Sequence, residues 1–292
     1  MYSKTLIPFF KKIVILFAGV LNQIRRLTSK KIYNKKYFFI VMLHDVAKSE
    51  IKKCEETISK LQNEFGFIDP QYFSNLINDD KKINNNLLLT FDDGFISNYI
   101  VAKHILEPLG IKAIFFIPTG FIDCKSNEEQ EEFIYKNIYN GKSSSSLSKI
   151  DKIALSWSQI YELLDMGHTI GSHTINHYRL SEIDDINILK EEIISSGDYL
   201  EKKLNIKINH FAYPFGEINS INKKALDIAK NRYKYIHSGI RGANIVGTNS
   251  SIIFREAINV TDHYNYNKFV ITGGLSNYYY KAQKILREFD ST

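Results

Sequence analysis

The sequence predicts an α/β fold on a largely parallel sheet, one that fits a barrel better than an open sheet. Three observations carry this expectation. The chain of 292 residues falls in the size range of one α/β barrel. From residue 38 onward, short β-rich runs alternate with helical stretches. Most of those runs are nearly continuous apolar sequence, as strands covered on both faces require. Spacing alone does not separate a barrel of about seven strands from an open sheet, but in both architectures functional groups collect at the carboxyl ends of the strands.

The expected strands are Phe38 to Leu43, Leu87 to Phe91, Ala113 to Ile117, Thr169 to Ser172, His210 to Tyr213, Tyr235 to His237 and Ile252 to Phe254. Between them, Ser156-Trp157-Ser158-Gln159 reads as a capping box opening a helix that Gly167 closes. A longer helix is expected from Ser181 to about Leu204, with Ile186, Leu189, Ile193, Leu200 and Leu204 on its apolar side. The connection from about 121 to 154, with the serine run inside Gly141 to Ser148, reads as a surface insertion. The remainder, 37 to 292, reads as one catalytic domain.

Composition excludes several classes of protein. With 44% apolar and 24% charged residues, neither disorder nor a multispanning membrane protein is expected. Two cysteines without CxxC spacing exclude a disulfide framework or a thiolate zinc site. The net charge of +6 is scattered and comes without a recognition helix or stacked aromatic motif, so nucleic acid is not an expected partner. Residues 1 to 36 are different, because they carry nine Lys and Arg, from Lys4 to Lys36, and no acidic residue. The apolar run Ile13 to Leu21 in their midst is about half of the ~20 residues that span a membrane. No small-residue cleavage site follows it. This segment is expected to be an uncleaved basic amphipathic helix that either packs on the domain or lies on an anionic membrane face. The expected location is cytoplasmic, and peripheral at the inner face of the membrane if the segment lies on it.

Three constellations follow predicted strands. Thr90-Phe91-Asp92-Asp93-Gly94 delivers two adjacent carboxylates at a strand end, one able to bind a metal while the other faces a substrate; alone it also reads as an acidic turn. Gly171-Ser172-His173-Thr174-Ile175-Asn176-His177 sets two histidines four apart, and a helical turn after the strand would bring both imidazoles to one side. A chance HxxxH among eight histidines is the competing reading. His210 to Gly216 runs a strand into a Pro/Gly turn able to aim an N–H at developing negative charge. Two histidines and one carboxylate with open positions form a ligand set of catalytic zinc and non-haem iron sites.

At these residues the sequence resembles the polysaccharide deacetylase family: T-F-D-D-G at Thr90 to Gly94, H-T-I-N-H at His173 to His177 and F-A-Y-P-F-G at Phe211 to Gly216 stand in the family's order and spacing. Supporting matches surround His44, Trp157 and Arg255. The resemblance implies a distorted (β/α)7 barrel of the polysaccharide deacetylase type. It further implies one divalent ion, zinc by default with Co2+, Ni2+ or Fe2+ as alternatives, bound by Asp93, His173 and His177. Asp92 becomes the catalytic base and the Phe215 N–H an oxyanion donor. Where many members carry an arginine after the Phe of the third motif, this chain has Ala212, and Arg255 is the expected substitute for orienting the base. The family's late Leu-x-His motif has no clear match, which leaves His237 as the candidate general acid and His44 as pocket lining or support. Trp157, Tyr213 and Pro214 are the expected substrate-binding residues, Trp157 either stacking on a sugar or serving as a hydrophobic staple. The implied reaction removes N-acetyl groups from an N-acetylhexosamine-containing glycan or glycan precursor. The alternatives are hydrolysis of another non-peptide carbon–nitrogen amide bond on the same fold and a non-catalytic glycan-binding relative.

Overall fold

The computed structural model describes residues 37–78, 87–141, 153–247, 251–276 and 278–291, together with Ile13, Val14 and Phe17. The expected amphipathic helix and its membrane contact therefore fall outside the described residues apart from those three, as does the serine run after Gly141. Among the described residues no helix is long and apolar enough to cross a membrane.

The strands are β1 (Tyr37–Leu43), β2 (Leu87–Phe91), β3 (Ala113–Ile117), β4 (Thr169–Ser172), β5 (His210–Ala212), β6 (Tyr235–His237), β7 (Asn244–Ile245), β8 (Ile252–Ile253) and β9 (Glu256–Ala257). They form one sheet in the order β7-β1-β2-β3-β4-β5-β6-β8, with β9 paired to β1. All pairings are parallel except β1 with β7. Closure comes from the segment 252–257: β8 pairs with β6 on one edge, and two residues later β9 pairs with β1 on the other. The result is a nearly closed, barrel-shaped parallel sheet. β2 and β3 are buried at every position, which accounts for their unbroken apolar sequence.

Alternation along each strand decides which side chains enter the barrel. Ile40, Leu88, Ile114, Phe116, Ala212, Tyr235 and Ile253 share the inner cluster, whereas Leu89, Phe91, Phe115 and Phe254 belong to the outer one beneath the helices. Phe73, from the helix Phe73–Asn78, joins the inner cluster and meets Phe38 and Tyr235 edge-on at 5.9 and 4.7 Å. Carried two residues past Leu88 and Thr90, the same parity sends Asp92 inward at the carboxyl end; carried past Ile253, it sends Arg255 inward.

The capping box at Ser156 and Gln159 is present in both halves, and the helix Trp157–Asp165 follows it. The longer helix begins later than expected. Leu180–Glu182 is a single 3-10 turn, and the helix proper starts at Ile186 because Asp185, not Ser181, accepts the Asn187 N–H at 2.7 Å. It also contains a π turn at Glu191–Ser195 before continuing through Ser196–Leu204. Tyr213 and Phe254 lie just past their strands rather than in them.

Barrel closure carries a pH-dependent cost. Glu256 on β9 is fully buried, and desolvation raises its carboxyl to about 7 although Arg241 lies 3.1 Å away and pulls it down. An acid with a raised folded-state value favours its protonated form, so the contribution of Glu256 to stability is fully kept below its ordinary value of 4.5 and is lost as pH rises toward about 7. The loss is on the order of 3 kcal/mol. Glu256→Gln is expected to flatten this slope, measured as urea midpoints between pH 4.5 and 8; an unchanged slope would exclude Glu256 as its source.

Candidate active site

The carboxyl ends of β1, β2, β4 and β5 and the residues after β8 converge on a cleft lined by Met42, His44, Asp92, Asp93, His173, His177, Phe215 and Arg255. Asp93 leaves β2 in a left-handed conformation (φ 73°) followed by Gly94 (φ 70°), which turns its carboxylate away from that of Asp92. His173 is held where β4 ends by its N–H to Ile117 O at 3.1 Å. The expected helical turn between the two histidines is absent. Thr174 and His177 have φ of 65° and 57°, and the turn is pinned by the His177 N–H donating to Thr174 Oγ1 at 3.0 Å. Positive φ replaces helical spacing in bringing the imidazoles together.

Asp93 Oδ1 lies 3.4 Å from His173 Nε2 and 3.2 Å from His177 Nε2, and all three side chains are buried. Among the described residues these are the three side chains grouped closely enough to share an ion. His173 Nδ1 contacts Ala212 O at 2.7 Å and His177 Nδ1 contacts Asn137 O at 3.0 Å. Those carbonyls accept only, so each Nδ1 carries a proton, which leaves each Nε2 as the ring nitrogen able to bind a metal when the imidazole is neutral. Two Nε2 atoms and a carboxylate facing one another in a buried site form a donor set that fits one divalent ion.

Asp92 is also buried, and Arg255 meets it with a two-pronged contact: Nη1 donates to Oδ1 at 2.6 Å and Nη2 to Oδ2 at 2.8 Å. Arg255 is itself 1% exposed and donates from Nε to Ser238 O at 2.8 Å. Burial pushes the Asp92 carboxyl up, but Arg255 and His173 together pull it below its ordinary value, so it is ionised. The expected substitution of Arg255 for the arginine lost at Ala212 thus has its geometry.

Four expected site residues are not brought to the cleft. His237 is fully buried inside the barrel, 3.0 Å from His210 Nδ1 and packed on Phe116, with burial holding its imidazole well below its usual value. It sits a layer below the mouth and cannot serve as a proton donor there. Trp157 lies on the outside, donating from Nε1 to Asp123 at 2.9 Å and meeting Tyr199 edge-on at 5.6 Å. Tyr213 is turned into the core, its hydroxyl donating to Gly216 O at 3.1 Å. Pro214 is buried beside it and absent from the lining. Their neighbour Phe215 does reach the cleft, with φ 62°, and its backbone N–H has no acceptor among the described residues. The turn depends on Gly216 (φ 65°), where a Cβ would lie 2.4 Å from Gly239 N.

Two supports escape sequence reasoning. The stretch read as a surface insertion contains the helix Asn127–Phe133, extended by a π turn Ile134–Ile138. It supplies both the Asn137 carbonyl that orients His177 and the lining residues Ile138 and Tyr139. Glu192, in the π turn of the long helix, accepts the backbone N–H groups of Ile175 and Asn176 at 3.1 and 2.9 Å and the Asn176 amide at 2.6 Å. From the other side, Gly120 N–H donates to Ile175 O at 2.9 Å, and a Cβ at Gly120 would stand 2.8 Å from that oxygen. The only available signal was a carboxylate three residues after Leu189 on an apolar helix face. Glu192→Ala is expected to weaken metal binding by about 10- to 100-fold, as loss of outer support does. Metal titration of the purified variant measures this, and wild-type affinity would assign Glu192 a purely structural role.

The fold and site define an α/β barrel with a candidate single-metal centre at the carboxyl ends of its strands. The chain belongs to the polysaccharide deacetylase family, whose model matches residues 79–235. It is 26% identical over 195 residues to YxkH of Bacillus subtilis (strain 168), which carries that family name; the match covers 64% of this chain and 60% of the length of YxkH. Its fold is similar to that of the Streptococcus pyogenes deacetylase PplD in complex with acetate, at TM-score 0.63 and 22% identity over 80% of this chain and 98% of that one. It is also similar to IcaB from Ammonifex degensii, at TM-score 0.62 and 19% identity over 80% of this chain and 97% of that one.

Proposed function

We propose that this protein is a divalent-metal-dependent hydrolase that removes N-acetyl groups from an N-acetylhexosamine-containing glycan or glycan precursor. The reading rests on one observation: Asp93, His173 and His177 converge beside a second, arginine-held carboxylate at the mouth of a barrel of this family. Asp93, His173 and His177 would hold the ion, for which zinc is the first expectation with this donor set. A divalent ion there supplies Lewis acidity at the acetamide carbonyl and a nucleophile available at neutral pH.

The chain's own residues divide the remaining work. Asp92, kept ionised and fixed in orientation by Arg255, accepts the proton of the attacking water. The Phe215 N–H, without an acceptor among the described residues, is available to the developing oxyanion. His44 follows β1 and lines the same cleft without serving in the three-residue cluster, so it takes the proton-donor role expected of His237. Acetate leaves and a free amine remains on the sugar.

Acetate release from N-acetylglucosamine oligomers, compared with small amides, tests the reading. Release from the saccharides that stops on chelation and returns with Zn2+ is the expected result. Metal-loaded protein that frees no acetate from any N-acetylated saccharide would overturn it.

A further inference from the structure

His44 is exposed where it lines the cleft, yet the chain on both sides of it is tied to buried groups. On the strand side, Leu43 O accepts the Asp92 N–H at 3.0 Å, which sets the end of β1 against the residue that carries the base. The His44 carbonyl accepts from Asn98 Nδ2 at 2.8 Å. Beyond it, Ser97 Oγ donates to Asp45 Oδ1 at 2.8 Å and accepts the Val46 N–H at 3.1 Å. Each residue from 43 to 46 is thus held by the segment 92–98.

The side chains that grip this loop come from the first turn of the helix Ile96–Val101, which follows the Asp93–Gly94 turn directly. Asn98 is 1% exposed and Ser97 is also buried. Asn98 Oδ1 has no hydrogen-bond partner among the described residues. Burying an amide oxygen without a partner opposes stability, and a leucine of similar volume would avoid that loss. What the amide supplies and leucine cannot is the N–H to the His44 carbonyl. Departures from core chemistry of this kind gather at functional sites, and here the departure leads to the loop that carries the expected proton donor.

We propose that Asn98, assisted by Ser97, is a positioning residue for His44, holding residues 43–46 so that the imidazole meets the departing nitrogen. As the C–N bond breaks, its electron pair stays on nitrogen and a proton from the His44 ring completes the amine, while the oxygen of the attacking water leaves in acetate. Such transfer needs donor and acceptor within hydrogen-bond reach, so a loop displaced by about 1 Å forfeits most of it. The inference rests on the deacetylase reading above and on His44 as its donor.

The test uses the Zn2+-loaded full chain on an N-acetylglucosamine tetramer, comparing wild type with Asn98→Leu, Ser97→Ala, His44→Ala and the double variant Asn98→Leu/His44→Ala. For Asn98→Leu, kcat is expected to fall about 30-fold with KM within about threefold and zinc still stoichiometric. Ser97→Ala, which keeps the Asn98 contact, is expected to lose about fivefold in kcat and decides the matter if Asn98→Leu does not fold. His44→Ala is expected to lose about a hundredfold or more, and the double variant no more than His44→Ala alone. Para-nitrophenyl acetate, whose phenolate departs without a proton, should be hydrolysed by Asn98→Leu within about threefold of wild type. Losses that multiply in the double variant overturn the proposal, as does a loss of zinc or an equal loss on saccharide and ester, each of which marks a merely structural role. Wild-type kcat on the tetramer in both Asn98→Leu and Ser97→Ala overturns this proposal alone. Wild-type turnover in His44→Ala overturns the donor assignment and this proposal with it, and wild type that frees no acetate from any N-acetylated saccharide overturns the deacetylase reading as well.

Discussion

His177→Ala is expected to reduce bound metal to background and turnover by at least about a thousandfold, the largest effect of any single substitution in this protein. The reason lies in the count of donors: removing one imidazole leaves one nitrogen and one carboxylate facing a buried space. The Asn137 carbonyl and the edge of Phe215, both of which now contact the His177 ring, would lose that contact together. Metal content by mass spectrometry, with circular dichroism to show that the barrel persists, measures the effect. Full occupancy by metal in the variant would show that the ion is held elsewhere. The contrast with Glu192→Ala is informative, because that variant keeps every donor and relaxes only their spacing.

Arg255→Ala is the second large effect, and it is expected in two readouts. Asp92 would be left as a buried carboxylate without its partner, a situation that costs about 3–5 kcal/mol of stability. Turnover is expected to drop about a thousandfold, because the base loses the two hydrogen bonds that set its orientation. Arg255→Lys should recover only part of this, since an ammonium keeps the charge but not the two-pronged contact. Asp92→Asn is the companion variant, expected to retain metal while losing turnover. If Arg255 acts through Asp92, adding Arg255→Ala to Asp92→Asn should cost little further activity. Wild-type turnover in Arg255→Ala would remove the residue from the mechanism.

Much of this site could be read along the chain. β2, β3, β4 and β6 begin and end where apolar run lengths place them. The aspartates and histidines stand at strand ends, and Arg255, read as closing a strand, indeed lies against Asp92. The misplacements share a cause. His237 and Trp157 occupy the expected positions along their elements, but His237 lies too deep in the barrel and Trp157 on its outer side. The insertion read as a surface segment because of its serine-rich composition, which carries no signal for the helix that precedes the serine run.

By itself the sequence determined the alternation of strands and helices, the strand ends that carry the chemistry, and the residue types gathered there. Those features depend on periods of two or about 3.6 residues, which are local. Only the tertiary structure decided depth, direction and partnership: that His237 pairs with His210 inside the barrel, that a carbonyl of the insertion orients His177, and that Tyr139 rather than Trp157 lines the cleft. A buried polar group takes whichever complementary atom the packed barrel brings within about 3 Å, and no spacing along the chain encodes that choice.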